Sequence, residues 1–227
     1  MEIFSPLAFV WFGPVDDVSG IANVNRNIIL AMMHMGINVR CEPFIAQWSH
    51  LKADLSKEKL SMLEEAKQNN SIKSKYFVGV WSIPPHYLGQ TESNARINVS
   101  YSLFESNNIP LNWVGKLNHP QISEVWVPCS FQVEAYRRGG IQSGKVKKLP
   151  MGVDTDEFVP QGEHMVFPEQ IRDAFKFLTV MDVSHRKYPE LLLKAYFEEF
   201  ANQEDTVLIF KGYTGSADEG SRNYIRN

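Results

Sequence analysis

The chain has 227 residues, enough for one large domain or two small ones at roughly 100–200 residues each. A hydrophobic content of 44% and an aromatic content of 12% supply a core, which excludes an intrinsically disordered chain. A net charge of −3 excludes the basic footprint of a nucleic-acid binder.

No apolar run reaches bilayer-spanning length. The start, from Met1 to Gly13, lacks the basic segment of a secretion signal and reads as a first buried strand. Cys41 and Cys129 both lie in apolar, strand-like runs and are expected to be buried free thiols, as in an intracellular protein. The expectation is a soluble, cytoplasmic protein, with peripheral contact at a membrane left open.

Leu7 to Phe12 is a continuous apolar run closed by Gly13-Pro14, as expected of a strand in a parallel sheet buried on both faces. A loop with Asp16, Asp17, Ser19 and Gly20 follows. Ile21, Val24, Ile28, Met32 and Met35 then recur at helical spacing, and Gly36 supplies the stop. Ile37 to Cys41 reads as the second strand of a minimal βαβ unit.

Ser56 to Gln68 is a charged amphipathic helix with Leu60 and Leu63 on one side, and Tyr76 to Trp81 is a strand. Ile97, Val99, Tyr101 and Leu103 alternate with Asn and Ser, which predicts a strand with one less buried face. Leu111 to Asn118 is a short helix after Pro110, and Glu124 to Cys129 is a strand. Ser130 is expected to cap a helix ending at Gly139-Gly140. Lys145 to Leu149 closes this half.

From Met151 to Pro160 periodicity disappears, which places a domain boundary there. Beyond it, Phe177 to Met181 is a strand and Pro189 to Phe200 a helix with Pro in its first turn. Thr206 to Phe210 is a further strand. The tail from Thr214 to Asn227 is polar and rich in Gly and Ser. Alternating β and α elements predict a doubly wound α/β architecture, in which ligands bind outside the carboxyl ends of the strands. That rule selects Gly13 to Gly20, Trp81 to Tyr87, Glu105 to Asn108, Cys129-Ser130, Met151-Gly152, Asp182 to Tyr188 and Lys211 to Tyr213 as candidate site loops.

Three phrases carry a family signal: Phe-Glu-Ser-Asn-Asn-Ile-Pro from Phe104, Glu-Val-Trp-Val-Pro-Cys-Ser-Phe from Glu124, and Leu-Pro-Met-Gly-Val-Asp-Thr-Asp-Glu-Phe from Leu149. With Ser19 to Gly36, Phe177 to Lys187 and Pro189 to Tyr196, they resemble the family 4 retaining glycosyltransferases of the GT-B type. The resemblance implies two Rossmann-like domains. Residues 1–150 would form the acceptor-side domain, 151–160 the hinge, and 161–227 the start of a truncated nucleotide-sugar-binding domain. It further implies transfer of a sugar from a nucleoside-diphosphate donor to a sugar or lipid-linked acceptor, with retained anomeric configuration. No metal or other cofactor is expected.

The resemblance also assigns candidate residues. Lys187, Arg186 and Lys211 would contact donor phosphates, where a cation stabilises the charge developing on the leaving diphosphate. Asp182 stands where the family generally carries an Arg, which argues against strong donor affinity. Ser19 and Gly20 open the first helix, whose free N–H groups favour anions, although Asp16 and Asp17 share the loop. Glu105, with Ser106, Asn107 and Asn108, could hold sugar hydroxyls or cap the helix after Pro110. His86 could touch the acceptor or move a proton. Gly152 and Asp154 mark the hinge. His34, His50, His119, His164 and His185 show no metal-ligand spacing.

Glu190 and Glu198 reproduce the family's Glu-x7-Glu spacing on a different helix from the one that carries the motif, and read with Glu199 as a solvated edge. The motif itself is expected beyond the end of the chain. Two further readings stay open. One is a non-catalytic module of glycosyltransferase ancestry that binds an acceptor or is completed by a partner chain. The other is a GT-B-like enzyme of another kind, such as a nucleotide-sugar epimerase.

Overall fold

The computed structural model describes residues 7–43, 52–72, 76–88, 94–162 and 165–213. Contacts divide the chain into two compact units that part between Asp154 and Thr155.

The first unit holds β1 (Ala8–Gly13), α1 (Gly20–His34), β2 (Asn38–Pro43), α2 (Lys57–Gln68), β3 (Phe77–Trp81), β4 (Ile97–Tyr101), α3 (Leu111–Asn118), β5 (Ile122–Val127), α4 (Ser130–Arg138) and β6 (Val146–Lys148). The six strands form one sheet in the order β2-β1-β3-β4-β5-β6, every pair parallel. The strand order reverses at β1, which lies between β2 and β3. This is an α/β, Rossmann-like architecture, with its topological switch point at the carboxyl ends of β1 and β3.

The pleat sorts the strand residues onto two faces. Trp11, Val80, Val99 and Tyr101 pack with Ile29 and Leu30 of α1 and with Leu63 and Ala66 of α2. On the opposite face Trp81, Val125, Val127 and Val146 pack with Trp113 and Leu117 of α3 and Tyr136 of α4. Ala8 and Val10 meet Phe77 there, together with Ile72, which the chain after α2 carries onto this face. Coverage on both sides explains why β3 is buried along its whole length.

Several elements differ in detail from the sequence reading. The strand β4 has no less-buried face, since Asn98, Ser100 and Ser102 are as buried as Val99 and Tyr101. Burial is tolerated because polar partners exist on that side: Trp81 Nε1 donates to Asn98 Oδ1 at 3.0 Å, and the Ser102 and Tyr136 hydroxyls share a hydrogen bond of 2.8 Å. In α2 the buried pair is Leu63 and Ala66, while Leu60 is exposed. In α1 the buried face runs through Ala22, Asn25, Arg26, Ile29 and Leu30, and Met35 is 75% exposed beyond the helix end. Gly36 follows with φ +71°, a conformation that suits glycine. The fifth strand ends at Val127, so Cys129 falls outside the sheet and is exposed, contrary to the buried thiol expected there; Cys41 is buried. Ser130 is the first helical residue of α4 and provides no cap.

The second unit contains β7 (Phe175–Asp182), α5 (Pro189–Phe200) and β8 (Thr206–Tyr213), with β7 and β8 parallel. Phe177 lies against Tyr196 and Phe200 of α5, with ring centroids 6.0 and 5.0 Å apart. The polar tail from 214 onward lies outside the described residues, as do His50, His164 and positions 89–93 of the loop after β3.

Candidate functional site

The loop after β1 is held from behind by two buried polar side chains of α1. Asn25 Nδ2 donates to the Pro14 carbonyl at 2.8 Å, and Arg26 Nη1 donates to the carbonyls of Val15 and Asp17 at 2.8 and 2.6 Å. Burial lowers the Arg26 pKa from its ordinary value, and the charges of Asp17 and Asp16 partly offset this. A side chain at Gly13 could not fit, because its Cβ would lie 2.7 Å from Asn25 Nδ2 and 2.9 Å from the Ser82 carbonyl. Glycine thus lets the ends of β1 and β3 close onto α1.

Ser19 caps α1, its Oγ accepting from Ala22 N at 3.2 Å, and its own N–H donates to Asp17 Oδ1 at 2.7 Å. Gly20 is the first helical residue and is exposed. The two acids expected to repel anions are already engaged. Asp17 is turned inward, and Asp16 accepts from Lys67 Nζ at 2.7 Å. Burial works to lower the Lys67 pKa, but the hydrogen bonds that Lys67 donates to Asp16 and Glu64, with their charges, raise it overall.

At the carboxyl end of β3, Pro85–Tyr87 forms a 3-10 turn that leaves His86 exposed. Its ring lies 4.1 Å from that of Tyr87 and 6.4 Å from Trp113, centre to centre, and Trp113 meets Phe104 edge-on at 4.9 Å. Lys116 Nζ donates to the Leu88 carbonyl at 2.7 Å, tying the turn to α3. His86 and Phe104 thus contact the same ring, Trp113.

After β4 come the exposed residues Glu105 to Asn108. The alternative role of this loop, capping α3, is not realised: the cap position is Pro110 and no side chain caps the helix. Below the loop, burial pushes the Tyr136 hydroxyl pKa up to about 12 despite its bond to Ser102, and raises that of Tyr101. The buried Ser100 Oγ, Tyr101 hydroxyl, Asn25 Oδ1, Arg26 Nε and Gln132 Oε1 have no hydrogen-bond partner within the described protein. None of Asn25, Arg26, Ser100 and Gln132 is a candidate site residue in the sequence reading, although Asn25 and Arg26 lie within the segment Ser19 to Gly36. Asn25 and Arg26 fall on the face that the structure buries, between Ala22 and Ile29, and not on the Ile21–Val24–Ile28 face to which the apolar spacing points.

The hinge candidates separate. Asp154 reaches Lys59 of α2 at 3.6 Å, while Gly152 is exposed and a Cβ there would touch nothing. In the second unit Arg186 and Lys187 lie in the 3-10 turn His185–Lys187 at the carboxyl end of β7, both exposed. Tyr188 follows with φ +52° and leads into Pro189. Contrary to the expected position at a strand's end, Lys211 lies within β8, which continues to Tyr213; it is exposed and pairs in register with Val180. Glu190 and Glu198 are exposed on α5, and Glu198 sits 3.7 Å from Lys194.

Among the described residues, no three His, Cys, Asp or Glu side chains gather as a metal-binding group, and no helix is long and apolar enough to cross a membrane. No protein-family model matches the chain, and no curated protein matches it in sequence.

Proposed function

We propose that the chain carries the acceptor-side domain of a retaining GT-B glycosyltransferase, followed by a βαβ unit of a nucleotide-sugar-binding domain. One observation carries this reading. The first family-like phrase follows β4, the second runs from β5 through Pro128-Cys129 into α4, and the third begins directly after β6, so all three pass the carboxyl-end edge of one parallel sheet. That edge is where open α/β sheets bind ligands. In this reading Glu105 and Asn107 hold acceptor hydroxyls, His86 touches the acceptor from the end of β3, and Ser19 and Gly20 border the same edge. Lys187, Arg186 and Lys211 contact donor phosphates, without a metal.

Donor affinity is weak in this reading, since these three cations are exposed and Asp182 replaces an Arg. Millimolar nucleoside diphosphate raises the melting temperature by about 2 °C or less, the effect of a ligand near its own Kd (RT ln 2, about 0.4 kcal/mol). Saturation-transfer NMR with a panel of mono- and disaccharides tests the acceptor side. Signal is expected from at least one saccharide and is lost in Glu105→Ala; saccharide binding that ignores Glu105 and His86 replacement would sink the assignment.

A second reading, a module completed by a partner chain, is favoured by the outward face of β7, where Leu178 is 67% and Val180 58% exposed. Light scattering separates the two: a monomer at every concentration, with no binding partner, removes the second reading.

A further inference from the structure

Charge is distributed unevenly along this chain. From Ser130 to Pro150 five basic residues face one acid, a local balance of +4, so the remainder of the molecule carries −7 against the total of −3. The segment folds as α4 and the edge strand β6, and between them lies a groove of about 440 Å³. Val133 and Val146 contribute its apolar lining; Ser130, Glu134, Arg137, Lys147 and Lys148 complete it.

The cations differ in availability. Lys145 is committed, donating to the carbonyls of Leu117, Asn118 and His119 at 3.4, 3.1 and 2.9 Å. Arg137, Arg138, Lys147 and Lys148 are exposed, and no ion pair among the described residues involves them. Lys148 makes one long bond, 3.3 Å, to Ser130 Oγ. That contact places the start of α4 beside the end of β6. At this end two large apolar side chains are exposed, Phe131 at 49% and Leu149 at 37%.

Lysines on an edge strand ordinarily guard against edge-to-edge pairing. That accounts for Lys147 and Lys148, but not for Arg137, which lines the groove from α4, nor for Phe131, exposed at the start of that helix. Cations flanking exposed apolar side chains are what an anionic bilayer surface binds: the cations meet headgroups, and Phe131 and Leu149 enter the boundary with the acyl chains.

We propose that the α4–β6 groove and its rim are a docking surface for anionic phospholipid membrane. This reading is independent of the glycosyltransferase proposal and stands or falls without it. Glu134 sits within the basic stripe and limits its depth, so binding is reversible and salt-dependent.

Sedimentation of the full chain with vesicles tests it. The protein is expected to pellet with phosphatidylcholine–phosphatidylglycerol vesicles in a two-to-one ratio, to ignore pure phosphatidylcholine, and to be released at high salt. The double variant Lys147→Glu/Lys148→Glu weakens partition by about 30-fold or more, with an unchanged melting temperature. Phe131→Ser weakens it by a smaller factor and leaves the salt dependence in place. The same charge reversal on α2, Lys57→Glu/Lys59→Glu, retains most of the binding. Equal loss in the α2 variant, full binding by the β6 variant, or release by polyglutamate or millimolar inorganic phosphate as effective as by salt would overturn the proposal. The last two agents distinguish an acidic peptide or a free phosphate from a lipid surface.

Discussion

The two sheets of this chain follow the same βαβ grammar and reach different ends. In the first unit, six parallel strands are packed by helices on both faces, and Val10, Val80, Val99 and Val125 are at most 1% exposed. In the second, two strands carry one helix, and the opposite face keeps Leu178 and Val180 more than half exposed. The lesson is that strand-like sequence does not itself create a core. Burial comes from the second layer, and each buried side chain contributes on the order of 1.5–3 kcal/mol only once that layer is present.

The sharpest way to break this contrast is to remove matched leucines. Leu117 on α3 is fully buried between α3 and the sheet. Leu117→Ala is expected to cost about 2–5 kcal/mol through lost transfer energy and a residual cavity. Leu178→Ala is expected to stay within about 0.5 kcal/mol, as surface changes do. Urea midpoints of the two variants decide the matter. A comparable loss at Leu178 would mean that its face is covered in solution, by a second copy or another chain.

A polar version of the comparison comes next in size. Arg26 is buried beneath the β1 loop, whereas Lys187 is exposed at the end of β7. Arg26→Met leaves the carbonyls of Val15 and Asp17 without their donor and is expected to cost about 1–3 kcal/mol. Hydrogen exchange should accelerate through residues 14–22. Lys187→Met is expected to move stability by less than about 0.5 kcal/mol. If Arg26→Met were neutral with exchange unchanged, the loop would be held by something other than this side chain.

These pairs also show what the sequence could reveal. The span of α5, Pro189–Phe200, and that of α3, Leu111–Asn118, were legible to the residue, because a proline opens or precedes each and apolar spacing does the rest. Which face of α1 is buried was not. Its apolar residues alone point to Ile21, Val24 and Ile28, but the loop needs donors at Asn25 and Arg26, and this rotates the helix toward them. Burial of β4 was hidden for a similar reason: Asn98 and Ser102 look solvent-facing until Trp81 and Tyr136, distant in sequence, supply their partners. The candidate loops of the first unit were legible as strand ends, since parallel topology puts the carboxyl ends of its strands on one edge of that sheet. The aromatic grouping of His86, Tyr87, Phe104 and Trp113 was not, because it joins two loops and a helix. Lys211 was misplaced at a strand end because the apolar run stops at Phe210, whereas β8 continues through Lys211 and Gly212 to Tyr213.

The smallest effect separates the two cysteines and reports on the first core alone. Burial pushes the Cys41 thiol pKa up to about 12 from an ordinary 9.0, with Lys67 acting against the shift and nearby acids adding to it. A raised folded-state pKa means that this group's stabilisation is complete below pH 9. It is then lost as pH rises toward 12, where the unfolded chain releases the proton that the folded chain retains. Cys41→Ala should therefore flatten the alkaline decline of stability in that window, beyond a constant offset from lost packing. Thiol titration at neutral pH supplies the companion reading: Cys129 reacts promptly with a disulfide reagent, and Cys41 only at the rate at which the first unit opens. Should Cys41 react as fast as Cys129, the α1–α2 side of the sheet is looser than its packing implies, and the contrast between the two units shrinks accordingly.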